Sequence, residues 1–220
     1  MNNTALPDCV LWDMDGTLID QTESIVRCYY EVFKCYQLDK LPSPYEIKRS
    51  LGGPLNHTLG LFLPEDSVEV ASNEFKLRFP KYMFDGMHIL EGSIELIRKL
   101  NSINIKQAIL TNKQGINARA VSKKCGFDVY IPVCLGNNDN AFEKPDERFT
   151  NSVLEALDAE TKFKDIVIIG DSPTDVLTAK NCGARCFAVS TGSHSEAELK
   201  KAGAEHTFPT LLEIIKFWSL

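Results

Sequence analysis

Two aspartates two positions apart, Asp13 and Asp15, close a short apolar run, Cys9-Val10-Leu11-Trp12. Two more, Asp171 and Asp175, follow the run Ile166-Val167-Ile168-Ile169. Thr111 and Asn112 follow the apolar segment Ile105–Leu110, and Lys144-Pro145 lies in a loop ahead of a helical stretch. Carboxylates gathered on one cleft repel each other. A pair at about 4 Å costs on the order of 4 kcal/mol at an effective dielectric of 20. A hard divalent cation removes that cost. A small set of carboxylates, with room for water and phosphate oxygens, suits Mg²⁺ better than Ca²⁺. A lysine and a hydroxyl beside such a cation supply what a phosphoryl group needs.

These residues can meet only if the elements carrying them converge. Cys9–Trp12 reads as a buried strand. A helix follows it, with Asp20 as its cap and Glu23 as the capping-box partner. Ser43-Pro44-Tyr45-Glu46 starts a second helix, and Gly52-Gly53 stops it. A third segment follows Pro54, and a fourth runs from Asp66 to Tyr82. Residues 20–85 therefore read as a purely helical block. Beyond Gly92, helices at Ser93–Leu100, Ile116–Lys124, Asp146–Leu157, Thr174–Asn181, Glu196–Lys201 and Thr210–Phe217 alternate with strands. The strands are expected at Ile105–Leu110, Val129–Val133, Ile166–Ile169 and Cys186–Val189. Apolar strands alternating with helices predict an α/β fold, a Rossmann-like parallel sheet covered on both faces. The expected division is a core of residues 1–19 and 86–220, with the helical insertion 20–85 between them. In open parallel sheets, ligands bind outside the carboxyl ends of the strands. Asp13, Asp15, Thr111, Asn112, Asp171 and Asp175 all fall there.

Composition bounds the function classes. The 220 residues are 44% apolar and 25% charged, the balance of a folded globular chain. Lys plus Arg is 24 and Asp plus Glu 30, a net charge of −6. That balance argues against non-specific binding to nucleic acid or to an anionic membrane. No apolar run approaches the roughly 18 residues of a membrane span. The first twelve residues hold no Lys or Arg, as expected without a secretory signal. Seven cysteines show no C-x-x-C spacing, which predicts reduced, buried thiols and a cytoplasmic protein. Cys28 and Cys35 are expected on one helix face. The four histidines form no ligand cluster.

Asp13-Met14-Asp15-Gly16-Thr17 resembles the D-x-D-G-T signature of the haloacid dehalogenase-like hydrolases. Thr111-Asn112, Lys144-Pro145 and Gly170-Asp171-Ser172-Pro173-Thr174-Asp175 resemble the family's other three motifs, in the family's order. The helical block stands where that family inserts a helical cap. Gly16-Thr17-Leu18-Ile19-Asp20 brings the chain nearest to phosphoglycolate-phosphatase-like members. The resemblance implies an Mg²⁺-dependent phosphatase acting on a small phosphorylated metabolite through an aspartyl-phosphate. Asp13 would be the nucleophile and Asp15 the general acid and base. Thr111 and the Asn112 backbone would hold phosphoryl oxygens, and Lys144 would neutralise charge on the phosphoryl group and Asp13. Asp13, Asp171 and the Asp15 carbonyl would hold the metal, with Asp175 a ligand or a partner behind the ligands. Asp171 could instead cap the following helix.

The chain departs from the common K-P-x-P at Glu147. In the helical block, Lys48, Arg49, Gly52-Gly53 and His57 could face substrate or solvent. A β-phosphoglucomutase-like isomerase would carry a histidine about twelve residues after the nucleophile; Ile25 stands there. A non-catalytic relative that only binds phosphometabolites would lack the nucleophile or a metal ligand, and neither is missing. The sequence fixes neither the substrate (phosphoglycolate, a sugar phosphate, a nucleoside monophosphate or pyrophosphate) nor a monomer or dimer.

Overall fold

A computed structural model describes residues 5–36, 38, 40–158 and 165–220. Six strands form one sheet: β1 (Cys9–Trp12), β4 (Lys106–Gln114), β5 (Val133–Asn137), β6 (Ile166–Gly170), β7 (Arg185–Val189) and β8 (His206–Phe208). Their spatial order is β5-β4-β1-β6-β7-β8, and every neighbouring pair is parallel. β1 is central, with Leu11 in register between Ala108 and Ile168. Alternation along the strands divides the core. Val10, Trp12, Ile109, Val167 and Ile169 pack on one face with helices α5 (Ser93–Ser102), α6 (Gly115–Cys125) and α10 (Leu211–Phe217). Cys9, Leu11, Leu110, Ile166 and Ile168 pack on the other with α7 (Glu147–Ala156), α8 (Pro173–Asn181) and α9 (Glu196–Ala202).

The helical insertion consists of α1 (Thr22–Phe33), α2 (Pro44–Ser50), α3 (Leu55–Gly60), α4 (Glu65–Arg78) and a 3-10 turn at Phe79–Lys81. It buries its own apolar cluster, including Tyr29, Val32, Phe33, Ile47, Leu59 and Phe79. A two-stranded antiparallel ribbon, β2 (Ile19–Asp20) with β3 (His88–Ile89), joins the two ends of this block to the sheet domain. No helix among the described residues is long and apolar enough to cross a membrane.

Several local expectations are corrected. The expected strand at Val129–Val133 begins only at Val133. The N–H groups of Tyr130 and Ile131 both donate to the Phe127 carbonyl, and Pro132 has no N–H for a ladder. Asp20 does not cap α1 in the expected way, because pairing with His88 places it in β2. Gln21 takes the cap position without a side-chain bond, and the Thr22 N–H donates to Asp20 Oδ1 at 2.8 Å. α1 ends at Phe33, so Cys35 is exposed while Cys28 is buried. All seven cysteines are free: five are buried, Cys125 is intermediate and Cys35 exposed. The capping box at Ser43 and Glu46 forms as the sequence predicts.

The position of Asp13 depends on how β1 is packed. Leu11 is fully buried between two neighbouring strands. Leu11→Ala is expected to destabilise the protein by about 2–5 kcal/mol in a urea titration. Tyr45→Ala, on a residue 70% exposed, should stay within about 0.5 kcal/mol. Equal effects of the two would contradict this core assignment.

Candidate active site

β1, β4 and β6 all end on one side of the sheet, under the helical insertion. After β1 the chain turns tightly: the N–H groups of Leu18 and Ile19 donate to the Met14 carbonyl, and the Gly16 N–H donates to the Ile19 carbonyl. Gly16 has φ +80°, and a Cβ there would lie 2.7 Å from the Asp171 carboxylate. Glycine thus lets the β1 loop close onto the end of β6. One cavity between sheet and insertion is lined by Asp13, Asp15, Thr111, Asn112, Lys144 and Asp171. Asp175 is buried behind it, against Lys144.

Lys144 is the hinge of the cluster. Its side chain is 1% exposed, and its Nζ lies 2.8 Å from Asp13 Oδ1 and 2.6 Å from Asp175 Oδ1. Asn112 holds the lysine's backbone: Asn112 Nδ2 donates to the Lys144 carbonyl and the Lys144 N–H donates to Asn112 Oδ1. The expectation for Asn112 concerned its backbone; the side chain's grip on the Lys144 peptide is an additional finding. Thr111 is buried, and its hydroxyl oxygen accepts from the Lys113 N–H at 3.2 Å. Ser172, not Asp171, caps α8, and Asp175 completes the capping box. Asp175 Oδ2 accepts from the Ser172 N–H at 3.0 Å and its hydroxyl at 2.6 Å. Both Asp175 oxygens are therefore engaged.

The charges are in conflict. Burial pushes the Asp13 carboxyl up to about 6; Asp175 and Asp15 push the same way, against Lys144. Burial, then Asp13 and Asp175, push Asp171 well above the usual carboxylate range. Burial alone would lower the Lys144 ammonium, but facing Asp13 and Asp175 it is held above its ordinary value. Oxygens of Asp13, Asp171 and Asp175 lie within 4.8 Å of one another. Asp171 Oδ1 is buried with no hydrogen-bond partner. Fully ionised, the four carboxylates would exceed the two ammonium groups paired with them, Lys144 and Lys113, by 4 − 2 = 2 negative charges; Lys48 and Lys76 also line the cavity. The orphaned oxygen, the oxygen-only donors and the excess charge all fit a hard divalent cation.

Three contributors escape a motif-based reading. Lys113 Nζ lies 2.6 Å from Asp15 Oδ2 and 4.8 Å from the centre of the Phe79 ring. Its place after Thr111-Asn112 at the end of β4 was the available signal. The Ser172-x-x-Asp175 spacing is a capping-box pattern that could have revealed Ser172. Ser193 donates its N–H to Asp171 Oδ2 at 2.9 Å, and no local pattern marks it. From the helical insertion, Lys48, Gly52 and Gly53 line the cavity with apolar Ile25, Tyr29, Leu55 and Phe75. Arg49 and His57 do not line it: Arg49 reaches the loop after β7, and His57 is exposed.

The sequence pattern of the haloacid dehalogenase-like hydrolase family matches residues 10–189. The pyrophosphatase PpaX of Halalkalibacterium halodurans is 26% identical over 209 residues, covering 94% of this chain and 95% of that one. A phosphoglycolate phosphatase of Rhodospirillum rubrum is 27% identical over 214 residues, covering 92% of this chain and 87% of that one. Among solved structures, a haloacid dehalogenase-like family hydrolase from Streptococcus pneumoniae superposes with a TM-score of 0.86 at 20% identity, covering 97% of this chain and 98% of that one. That likeness shows the shared fold. With the match spanning all four motifs, the chain belongs to the haloacid dehalogenase-like hydrolases.

Proposed function

We propose that this protein is an Mg²⁺-dependent phosphatase that hydrolyses small phosphate monoesters through an aspartyl-phosphate on Asp13. The observation that carries the reading is the joining of Asp13, Lys144 and Asp171 in one buried cluster that opens into the cavity. Relatives named as a pyrophosphatase and a phosphoglycolate phosphatase support phosphoryl chemistry. Residues 1–19 and 86–220 form the catalytic core, and 20–85 form a cap that bounds the cavity and limits substrate size. Asp13, Asp171 and the Asp15 carbonyl would hold the cation. Asp175, with both oxygens engaged, serves to fix Lys144.

A bound divalent cation would offset the charge of the phosphoryl oxygens and so let an anion approach Asp13. An Asp13 carboxylate oxygen attacks phosphorus, and the ester oxygen departs with a proton from Asp15. Water then attacks phosphorus while Asp15 takes its proton; the bond to Asp13 breaks, and inorganic phosphate and free Asp13 result. Lys144 sits on Asp13 and stabilises charge that builds on the phosphoryl group. The Thr111 hydroxyl donates to a phosphoryl oxygen.

The direct test is p-nitrophenyl phosphate hydrolysis by EDTA-treated protein with and without Mg²⁺. Activity should require Mg²⁺, and Asp13→Asn should abolish it with an unchanged circular-dichroism spectrum. Turnover by Asp13→Asn at the wild-type rate, with deamidation excluded by mass spectrometry, would overturn the assignment.

The charge conflict gives a second expectation. Asp171→Asn removes the carboxyl that burial, Asp13 and Asp175 make costly to ionise, but keeps an oxygen to accept from Ser193. In EDTA the variant should melt about 2–4 °C above wild type, the shift of roughly 1 kcal/mol for a chain of this size. It should also lose the Mg²⁺-dependent rise in melting temperature. A variant that melts lower than wild type in EDTA and retains the full rise would refute the cluster's role.

A further inference from the structure

Arg49 stands in the last turn of α2, in the helical insertion. Its guanidinium leaves that block and donates to the Ser193 carbonyl and to Glu198 of α9. Ser193 belongs to the loop between β7 and α9, and its N–H donates to Asp171 Oδ2. The Ser193 hydroxyl lies 3.2 Å from that same oxygen, 3.4 Å from the Leu51 carbonyl and 2.8 Å from His194 Nδ1. A hydroxyl has one proton to give, so the insertion and the acidic cluster share one donor.

The neighbouring residue makes a second contact. Gly52 has φ +101°, and a Cβ there would stand 2.5 Å from Ser172 Cβ. The backbone of the insertion thus rests directly on Ser172, which donates both its N–H and hydroxyl to Asp175 Oδ2. Residues 49–52 cover the two serines that fix Asp171 and Asp175.

We propose that Arg49 and Ser193 are positioning residues for the acidic cluster. Through them, seating of the helical insertion on the core fixes Asp171 for the cation. This rests on the metal reading above. The Arg49–Glu198 pair alone would contribute little, since its side chains are 31% and 43% exposed. Its effect comes from the direction it gives Ser193, held from one side by Arg49 and bonded on the other to Asp171. Coupling between two sites is reciprocal. If docking of residues 49–52 strengthens cation binding, the cation strengthens that docking by the same factor.

The test uses the full chain, EDTA-treated, with Mg²⁺ alone and no substrate. Isothermal titration gives the Mg²⁺ affinity; hydrogen–deuterium exchange gives the protection of residues 47–52. Arg49→Ala, one step removed from Asp171, should weaken Mg²⁺ by about three- to tenfold, and Ser193→Ala, which removes a hydroxyl in direct reach of Asp171, by about tenfold, the lower end of the 10–100-fold typical of direct partners of metal ligands. Glu198→Gln should act in the same direction with a smaller effect, and Arg49→Lys should recover part of the loss. Tyr45→Ala, an exposed change on the same helix, should leave the affinity unchanged. In the wild type, Mg²⁺ should slow exchange in residues 47–52, and Arg49→Ala should remove that protection. If Arg49→Ala does not fold, Ser193→Ala and Glu198→Gln carry the test from the core side. Wild-type Mg²⁺ binding with unchanged affinity in the folded variants overturns the coupling alone. A wild type that binds no Mg²⁺ overturns the metal reading and this proposal with it.

Discussion

Buried carboxylates at the ends of β1 and β6 are pressed together more closely than their charges tolerate without compensation. Oxygens of Asp13, Asp171 and Asp175 lie within 4.8 Å of one another, on residues that are almost fully buried. The surrounding architecture answers that repulsion. Lys144 bridges Asp13 and Asp175, Asn112 holds the Lys144 peptide, and Ser172 and Ser193 donate to Asp175 and Asp171. These donors leave an excess of negative charge and two orphaned carboxylate oxygens, Asp15 Oδ1 and Asp171 Oδ1. A divalent cation that balanced this site would also stand where the proposed chemistry needs one beside a phosphoryl group. The structural problem and the proposed chemistry have the same solution.

The parallel sheet makes this convergence possible. A parallel arrangement sends the carboxyl ends of β1, β4 and β6 to one side, so residues distant in sequence share one cleft. Burial on both faces makes the middles of these strands apolar, and the polar residues at or just beyond their carboxyl ends stand out. For that reason Asp13, Thr111 and Asp171 were legible in the sequence. The alternation of helices with apolar runs likewise revealed the α/β fold and the helical insertion.

What was not legible had physical causes. β2, β3 and β8 are two or three residues long, too short for a period. Pro132 and the turn at Phe127 shift β5 beyond its expected start. Lys113 reads as a solvated lysine until the fold places Asp15 and Phe79 beside it. Ser193 meets Asp171 across 22 positions and Leu51 across 142, and such contacts leave no mark on local sequence. Arg49, a charge at a helix end, reads as a contact to substrate or solvent, yet its partners are Ser193 and Glu198 in the sheet-bearing part of the chain.

The central claim is that Asp13 itself carries the phosphoryl group during turnover. Borohydride reduces an acyl phosphate to the alcohol and leaves free carboxylates intact. Protein quenched during turnover of p-nitrophenyl phosphate, treated with borohydride and digested, can be read by peptide mass spectrometry. Homoserine is expected at position 13, dependent on both substrate and Mg²⁺. Active protein whose trapped derivative falls on another carboxylate, with Asp13 unmodified, would contradict that claim.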